Sequence, residues 1–267
     1  MVEPLDELNK IVQKPRYREV GNFMVRKFLR DAALPVTWLL LHTGITANQV
    51  TFISLIVAIA GCVSLALRAD GFFLIGCILL QLWYYLDHVD GQIARYRKTD
   101  CLSGRFFDFM THHIVHGLVF FPLGVYVWNH SEDHIFYIFG GFITSFSIML
   151  FNLMHDTKYK TYFEKIMQKE SLRVRKPDAG PVPAAQNVSV FRKIISFLHK
   201  SCEIHVVMNI LTVTALLETL LSFTWNFRWI AFWFYLLVIP FLTITKIYYW
   251  ISTRKIDADF ERDLETR

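Results

Sequence analysis

The chain has 267 residues, of which 54 % are apolar, 16 % aromatic and only 19 % charged, with a formal net charge of +5. Its mean hydropathy of +0.34 lies well above that of a soluble domain of this length and excludes both a soluble globule and a disordered chain. With 24 Phe and 7 Trp against 12 Gly and 8 Pro, the composition favours long helices with aromatic faces, so the expected fold is all-α and polytopic in a membrane.

The first 30 residues are too polar to supply the apolar stretch of a signal peptide. Over 16–30, Val20, Phe23, Met24, Lys27 and Phe28 fall near one face, with Arg18, Arg26 and Arg30 free to reach headgroups, which predicts an amphipathic helix lying on the membrane surface. A helix crossing the hydrocarbon needs about 20 mostly apolar residues. The gaps between charges predict six spans at 48–67, 71–86, 109–131, 134–155, 204–223 and 229–245, with Pro35 and the turn-like His42 to Thr46 setting off an interfacial piece before the first. The loop 158–200 carries Pro177, Gly180, Pro181 and Pro183, which predict an irregular connection flanked by short amphipathic helices. There is no internal repeat, and 1–267 is expected to form one membrane domain: an interfacial segment over 1–46, a six-helix core over 47–253 and a tail over 254–267.

The basic residues sort by side. Of the 28 Lys and Arg, 7 precede the first span, 4 lie between spans two and three, 10 between four and five, and 4 after the sixth. The positive-inside rule therefore places both termini, and the segments bearing most cations, in the cytoplasm of an integral multi-pass protein of a bacterial or archaeal inner membrane or an endomembrane. Topology and anionic headgroups account for the positive charge, and no base-stacking motif accompanies it, so nucleic acid is not an expected partner. Cys62, Cys77, Cys101 and Cys202 show no paired ligand spacing and are expected to be reduced thiols.

The chemistry concentrates at the end of span two, which reads Asp87-His88-Val89-Asp90-Gly91-Gln92-Ile93-Ala94-Arg95 and is followed by Gly104, Asp108 and His112. At about 100° per residue, Asp87, Asp90, Gly91 and Ala94 share one helical face, and the spacing of four stacks Gly104, Asp108 and His112 along another helix. If spans two and three pack as an antiparallel pair, two sets of hard ligands face each other. Carboxylates at membrane depth need a cation or a watery cavity, and three of them with an imidazole suit Mg²⁺ or Mn²⁺ with positions left open for phosphate oxygens. Gly91, Ala94 and Gly104 leave backbone open to a nucleotide, and Arg95 offers a fork of donors for a phosphate. The bland alternative pairs Asp87 and Asp90 with Arg95, Arg97 or Lys98 at a helix end.

The spacing Asp87-x-x-Asp90-Gly91-x-x-Ala94-Arg95, then Gly104-x-x-x-Asp108-x-x-x-His112, resembles the signature of the CDP-alcohol phosphotransferase (CDP-alcohol phosphatidyltransferase) family at every fixed position but the last. The stretch Ile45 to Thr51 also looks like that family's opening of span one, with Ala47 where Pro is common. The resemblance implies a membrane enzyme of phospholipid or related lipid or glycan biosynthesis. It would move a substituted phosphate from a CDP-alcohol, such as CDP-diacylglycerol, to an acceptor alcohol, at least one of the two being a lipid, and release CMP. It further implies that Asp87, Asp90 and Asp108 hold divalent metal beside the pyrophosphate, that Gly91, Ala94, Arg95 and Gly104 contact the cytidine nucleotide, and that the protein is a homodimer. One position departs: His112 stands where the family has its fourth Asp, the metal ligand and proposed general base. An imidazole can serve as base or ligand, but it cannot bridge two metals as a carboxylate can. A second reading is a catalytically silent family member that binds lipid or a protein partner in the membrane.

Other residues have two readings each. His112, His113 and His116 form only one histidine box, too few for a di-iron site, and His113 is expected to be a packing or interhelical hydrogen-bond residue. Glu203, His205 and Asn209 either line an acceptor pocket in a cavity between spans two, three and five or simply begin span five. Lys246 either snorkels to headgroups or reaches that pocket, and Glu218, Trp128, Trp225 and Trp229 read as interfacial anchors. A transporter is disfavoured because the acidic cluster lies at one membrane face and not at the midplane.

Overall fold

The computed structural model describes residues 2–14, 18–19, 24–131, 134–168, 172–174, 190–219 and 226–266. Helix α1 (Leu5–Val12) is short and amphipathic, and a π-helical turn at Val25–Leu29 runs into α2 (Arg30–Leu41), which contains Pro35. Much of the surface helix expected over 16–30 therefore falls on residues outside those described, and the chain is helical from Met24 onward. The long helices are α3 (Ala47–Ala66), α4 (Asp70–Arg97), α5 (Leu102–Leu118) continued by α6 (Phe120–Asn129), α7 (Phe136–Gln168) and α10 (Phe227–Ser252). Between the last two lie α8 (Val190–Ser201) and α9 (Ile204–Thr219), and α11 (Lys255–Asp263) follows α10. A three-residue antiparallel pairing of Leu172–Val174 with Leu264–Thr266 is a minor addition to an all-α polytopic membrane protein.

Five helices are long and apolar enough to cross a membrane, and α8 with α9, joined at a 71° bend, makes a sixth if the pair counts as one span. Residues 220–223, which the sequence assigns to the end of that span, and Pro177 to Pro183 lie outside the described residues. The bend leaves Val190, Ile194 and Phe197 of α8 exposed, which suits a helix lying in the membrane interface.

Local chemistry sets the boundaries. Thr46 and Gln49 form a reciprocal capping box at the start of α3, the Thr46 hydroxyl accepting from Gln49 N (3.3 Å) and Thr46 N donating to Gln49 Oε1 (2.8 Å). Lys98 ends α4 in the left-handed region at φ 55°, where Thr99 N donates to the Ala94 carbonyl (3.0 Å). Helix α4 packs chiefly against α3, which also contacts α5. The reason is close backbone approach: a Cβ on Gly76 would sit 2.7 Å from the Gly61 carbonyl oxygen.

Two apolar clusters fix the rest. The larger runs through α3 to α10 around Phe73, Trp83, Phe120, Met208 and Tyr235. The smaller joins Leu8 and Val12 of α1, Ala33 and Leu34 of α2, and Val89 and Ile93 of α4. Val89 lies on the side of α4 away from Asp87 and Ala94, and Ile93, three residues after Asp90, borders the acidic face, so burying the two sets which way that face turns.

At the end of the bundle remote from the acidic cluster, Arg228 is 1 % exposed. Its Nε lies 2.7 Å from Glu218 Oε2, its guanidinium also donates to the Tyr126 hydroxyl and to Thr219 Oγ1 (2.8 Å), and it stacks 4.8 Å from the Phe73 ring centroid. Glu218 is thus the partner of a buried arginine and no interfacial anchor, and Trp225 lies outside the described residues. The cysteines are free, with Cys62, Cys77 and Cys202 buried.

The tail is tied down by charge. Asp259 accepts from Lys158 of α7 (2.9 Å) and from Lys255 (2.7 Å). Burial would raise its carboxyl, but these hydrogen bonds outweigh that and hold it at about 2. Because this lies below the unfolded value of about 3.9, the contribution is complete above that pH and is lost as pH falls toward about 2. Asp259→Asn is expected to release at neutral pH what acid alone would release, seen as loss of amide hydrogen-exchange protection across α11; unchanged protection would refute the tie.

Candidate active site

Helix α4 runs unbroken through the motif, so Asp87, Asp90, Gly91, Ala94 and Arg95 follow one another on consecutive turns. Helix α5 presents Gly104, Asp108 and His112 in the same way. Across the gap, His112 Nε2 lies 2.8 Å from Asp87 Oδ1 and 3.4 Å from Asp108 Oδ1. The three residues can each offer a ligand atom within 4.8 Å of the others. A small divalent ion at about 2.1 Å from its ligands holds neighbouring ligands about 3 Å apart and opposite ones about 4 Å apart. The donor set of two carboxylates and one imidazole therefore fits such an ion with little movement, provided His112 exchanges its contact with Asp87 for the metal.

Asp90 is placed differently. It is buried, and its Oδ2 accepts a hydrogen bond from Thr51 Oγ1 of α3 at 2.6 Å, outside the three-residue cluster. It nevertheless lines the same cavity as Asp87 and Asp108. Neither acid of α4 is held by the basic residues that follow. Arg95 donates through Nε to the Val12 carbonyl at the end of α1, and Arg97 donates to the carbonyls of Ile45 and of Thr43 (2.8 Å). The helix-end pairing weighed for Asp87 and Asp90 is therefore not how these arginines are used.

The cavity encloses about 900 Å³. Its walls are α3, α4, α5 and the N-terminal segment, the last contributing Gln13, Lys14 and Arg30. This corrects the expected position between spans two, three and five, since no residue of α9 lines it. Asn209 is bonded instead to Gln81 (3.0 Å), and His205 stacks on Tyr84 with ring centroids 6.4 Å apart and lies 3.3 Å from Glu203. Helix α9 packs against α4 on a face that leaves the cavity to α3 and α5.

Gly91, Ala94 and Gly104 line the cavity. A Cβ on Gly91 would meet the Arg95 guanidinium at 3.1 Å, and one on Gly104 would lie 3.4 Å from Asn48 Oδ1. Gly91 thus gives Arg95 room to cross toward α1. Gln92, also buried, accepts from Thr37 Oγ1 (2.6 Å) and donates to the Arg30 carbonyl (2.8 Å), clamping α2 to the motif helix. His113 makes the expected interhelical bond, its Nε2 2.7 Å from Asp156 Oδ2 of α7, and His116 Nδ1 lies 2.9 Å from Asn152 Nδ2.

Sequence reasoning missed Thr51, Lys14, Arg30 and Gln92. Thr51 sits in the stretch that marks the opening of span one and Arg30 in the stretch expected to reach headgroups, so for these two the signal is present without its partner, while Lys14 carries no sequence signal.

A helical bundle with several membrane spans, and a carboxylate–imidazole cluster whose two carboxylates, though not His112, line a polar cavity, defines an integral multi-pass membrane protein with a site able to hold a divalent cation. Residues 44–200, more than half of the chain, match the family model described as CDP-alcohol phosphatidyltransferase, and the chain belongs to that family. Membership carries a general CDP-alcohol phosphotransferase role in lipid biosynthesis, with CDP-alcohol and alcohol substrates meeting at a membrane. No curated protein matches the chain.

Proposed function

We propose that this chain is an active transferase that moves a substituted phosphate from a CDP-alcohol to an acceptor alcohol and releases CMP. The observation that carries the reading is the gathering of Asp87, Asp108 and His112 within 4.8 Å on the edge of a cavity with room for a nucleotide. Asp87 and Asp108, with Asp90 beside them, would hold Mg²⁺ or Mn²⁺, which would neutralise the pyrophosphate and the departing CMP, while His112 Nε2, 2.8 Å from Asp87 Oδ1, would stay off the metal and serve as the base in place of a third ligand. Gly91, Ala94 and Gly104 leave the backbone open to the cytidine nucleotide, while Arg95, Lys14 and Arg30 form a basic wall for its phosphates. The acceptor oxygen bonds to the phosphorus distal to cytidine, the bond to the CMP oxygen breaks, and His112 Nε2 takes the hydroxyl proton.

The same reading treats 1–267 as one domain, a homodimer, with the termini and the cavity on the cytoplasmic side where most of the cations lie. A second reading rests on one contact. His112 Nε2 is engaged with Asp87 Oδ1, an arrangement that would also suit a silent member whose imidazole replaces the metal's charge.

The deciding experiment measures CMP release from a panel of CDP-alcohols by the detergent-solubilised chain, with EDTA and then with Mg²⁺ or Mn²⁺ restored. Release that is lost on chelation and recovered with metal is expected. Release indifferent to chelation would remove the metal-dependent reading, and no release from any donor would favour the silent member.

A further inference from the structure

Where α7, α8 and α10 meet, among residues that do not line the cavity, the structure gathers a second polar group that the nucleotide chemistry does not use. Lys246 of α10 is half-buried, with its Nζ 3.1 Å from His155 Nε2 and 3.6 Å from the centroid of the Phe151 ring. Trp250 closes another side at 5.1 Å, and His199 of α8 lies over Phe151 with ring centroids 5.3 Å apart. Lys246 does not line the cavity, one of the two outcomes weighed from the sequence, and its ammonium is turned over the Phe151 ring.

Among the described residues no carboxylate pairs with Lys246. The nearby acids are engaged elsewhere, Asp156 by His113 and Asp259 by Lys158 and Lys255. An ammonium has three donors. Here one is directed to an imidazole and the aromatic face takes up part of the charge, which leaves donor capacity and a net positive cluster with no anion. A cation inside a membrane span is costly unless an anion or water compensates it.

Depth identifies what can compensate it. Helix α8 bends 71° away from α9 and keeps Val190, Ile194 and Phe197 exposed, as an interfacial helix does, and it carries His199 against the Phe151 ring on which Lys246 rests. Lys246 thus lies at the level where lipid headgroups pack, flanked by the amphipathic ring of Trp250. We propose that Lys246, His155 and His199, framed by Phe151 and Trp250, form a binding site for the phosphate of a membrane glycerophospholipid, separate from the nucleotide cavity. The shared chemistry is a phosphate anion, and the lipid is favoured over free phosphate because apolar rings surround the charge and exposed apolar side chains of α8 lie beside it.

The test uses the full chain in detergent, freed of lipid and with no CDP-alcohol present, so that its outcome is independent of the transferase reading. Native mass spectrometry follows retention of phosphatidylglycerol, of dioleoylglycerol, which lacks the phosphate, and of phosphatidylglycerol in the presence of inorganic phosphate. Phosphatidylglycerol is expected to be held and dioleoylglycerol not. Lys246→Gln should weaken retention about tenfold, the loss of one charge-assisted hydrogen bond, and Lys246→Arg should restore most of it. His199→Gln, at the rim, is read in parallel and should weaken retention severalfold, so the proposal remains open to refutation if Lys246→Gln does not fold. Parent-like retention in whichever of these two variants folds, or equal retention of dioleoylglycerol, would overturn the site. Full displacement by millimolar inorganic phosphate would overturn the lipid assignment in favour of free phosphate.

Discussion

Asp108→Asn is expected to lower metal-dependent CMP release by about 10²–10³-fold, the scale on which removal of one preorganised charge-stabilising group acts. The change keeps the shape of the side chain and removes only its charge. In the structure Asp108 Oδ1 lies 3.4 Å from His112 Nε2, and with Asp87 it supplies the two carboxylates of the three-residue cluster. Asp87→Asn should act on the same scale, because its Oδ1 is the closest oxygen to His112. Asp90→Asn tests a different position, since that carboxylate is anchored by Thr51. Thr51→Val, which leaves the charge but removes its anchor, should cost about 10–100-fold, as outer partners of metal ligands do. Steady-state CMP release with matched thermal unfolding of each variant checks the series. Asp108→Asn or Asp90→Asn turning over at the parent rate would end the assignment of these residues.

His112→Ala is expected to reduce CMP release by about 10²–10⁴-fold, the usual contribution of a positioned general base. His112→Asp should recover part of that loss, because a carboxylate at this place can take a proton or a metal from the same turn of α5. The silent-member reading predicts the reverse order: no turnover in the parent and a gain in His112→Asp. Measuring the parent, His112→Ala and His112→Asp side by side separates the two. An active parent unaffected by His112→Ala would show that the imidazole is neither base nor ligand.

The interior of the motif was readable because helical geometry is local. A fixed rotation per residue puts Asp87, Asp90, Gly91 and Ala94 on one face whatever surrounds the helix, and α4 shows that face lining the cavity. The capping pair Thr46 and Gln49 is likewise a short-range matter, and the sequence located the start of α3 within a residue. Arg95 shows where local reading stops. Its place on the helix follows from the motif, but its partner, the Val12 carbonyl, is 83 positions away in the chain. The same holds for Thr51 with Asp90 and for Glu218 with Arg228, whose pairing gives an acid read as an interfacial anchor a buried arginine as its partner.

By itself, then, the sequence determined the all-α membrane character, the approximate spans, the one-sided distribution of cations and the spacing that places the chain in its family. Only the tertiary structure decided which helices enclose the cavity, that α3 and the N-terminal segment do so in place of α9, and that Lys246 is caged by rings and imidazoles. The physical reason is that a membrane helix is apolar on every side, so hydropathy cannot mark which face meets lipid and which meets protein. That choice is made by features such as the bare backbones of Gly61 and Gly76, which bring α3 and α4 together, and the burial of Val89 on the side of α4 away from Asp87 and Ala94.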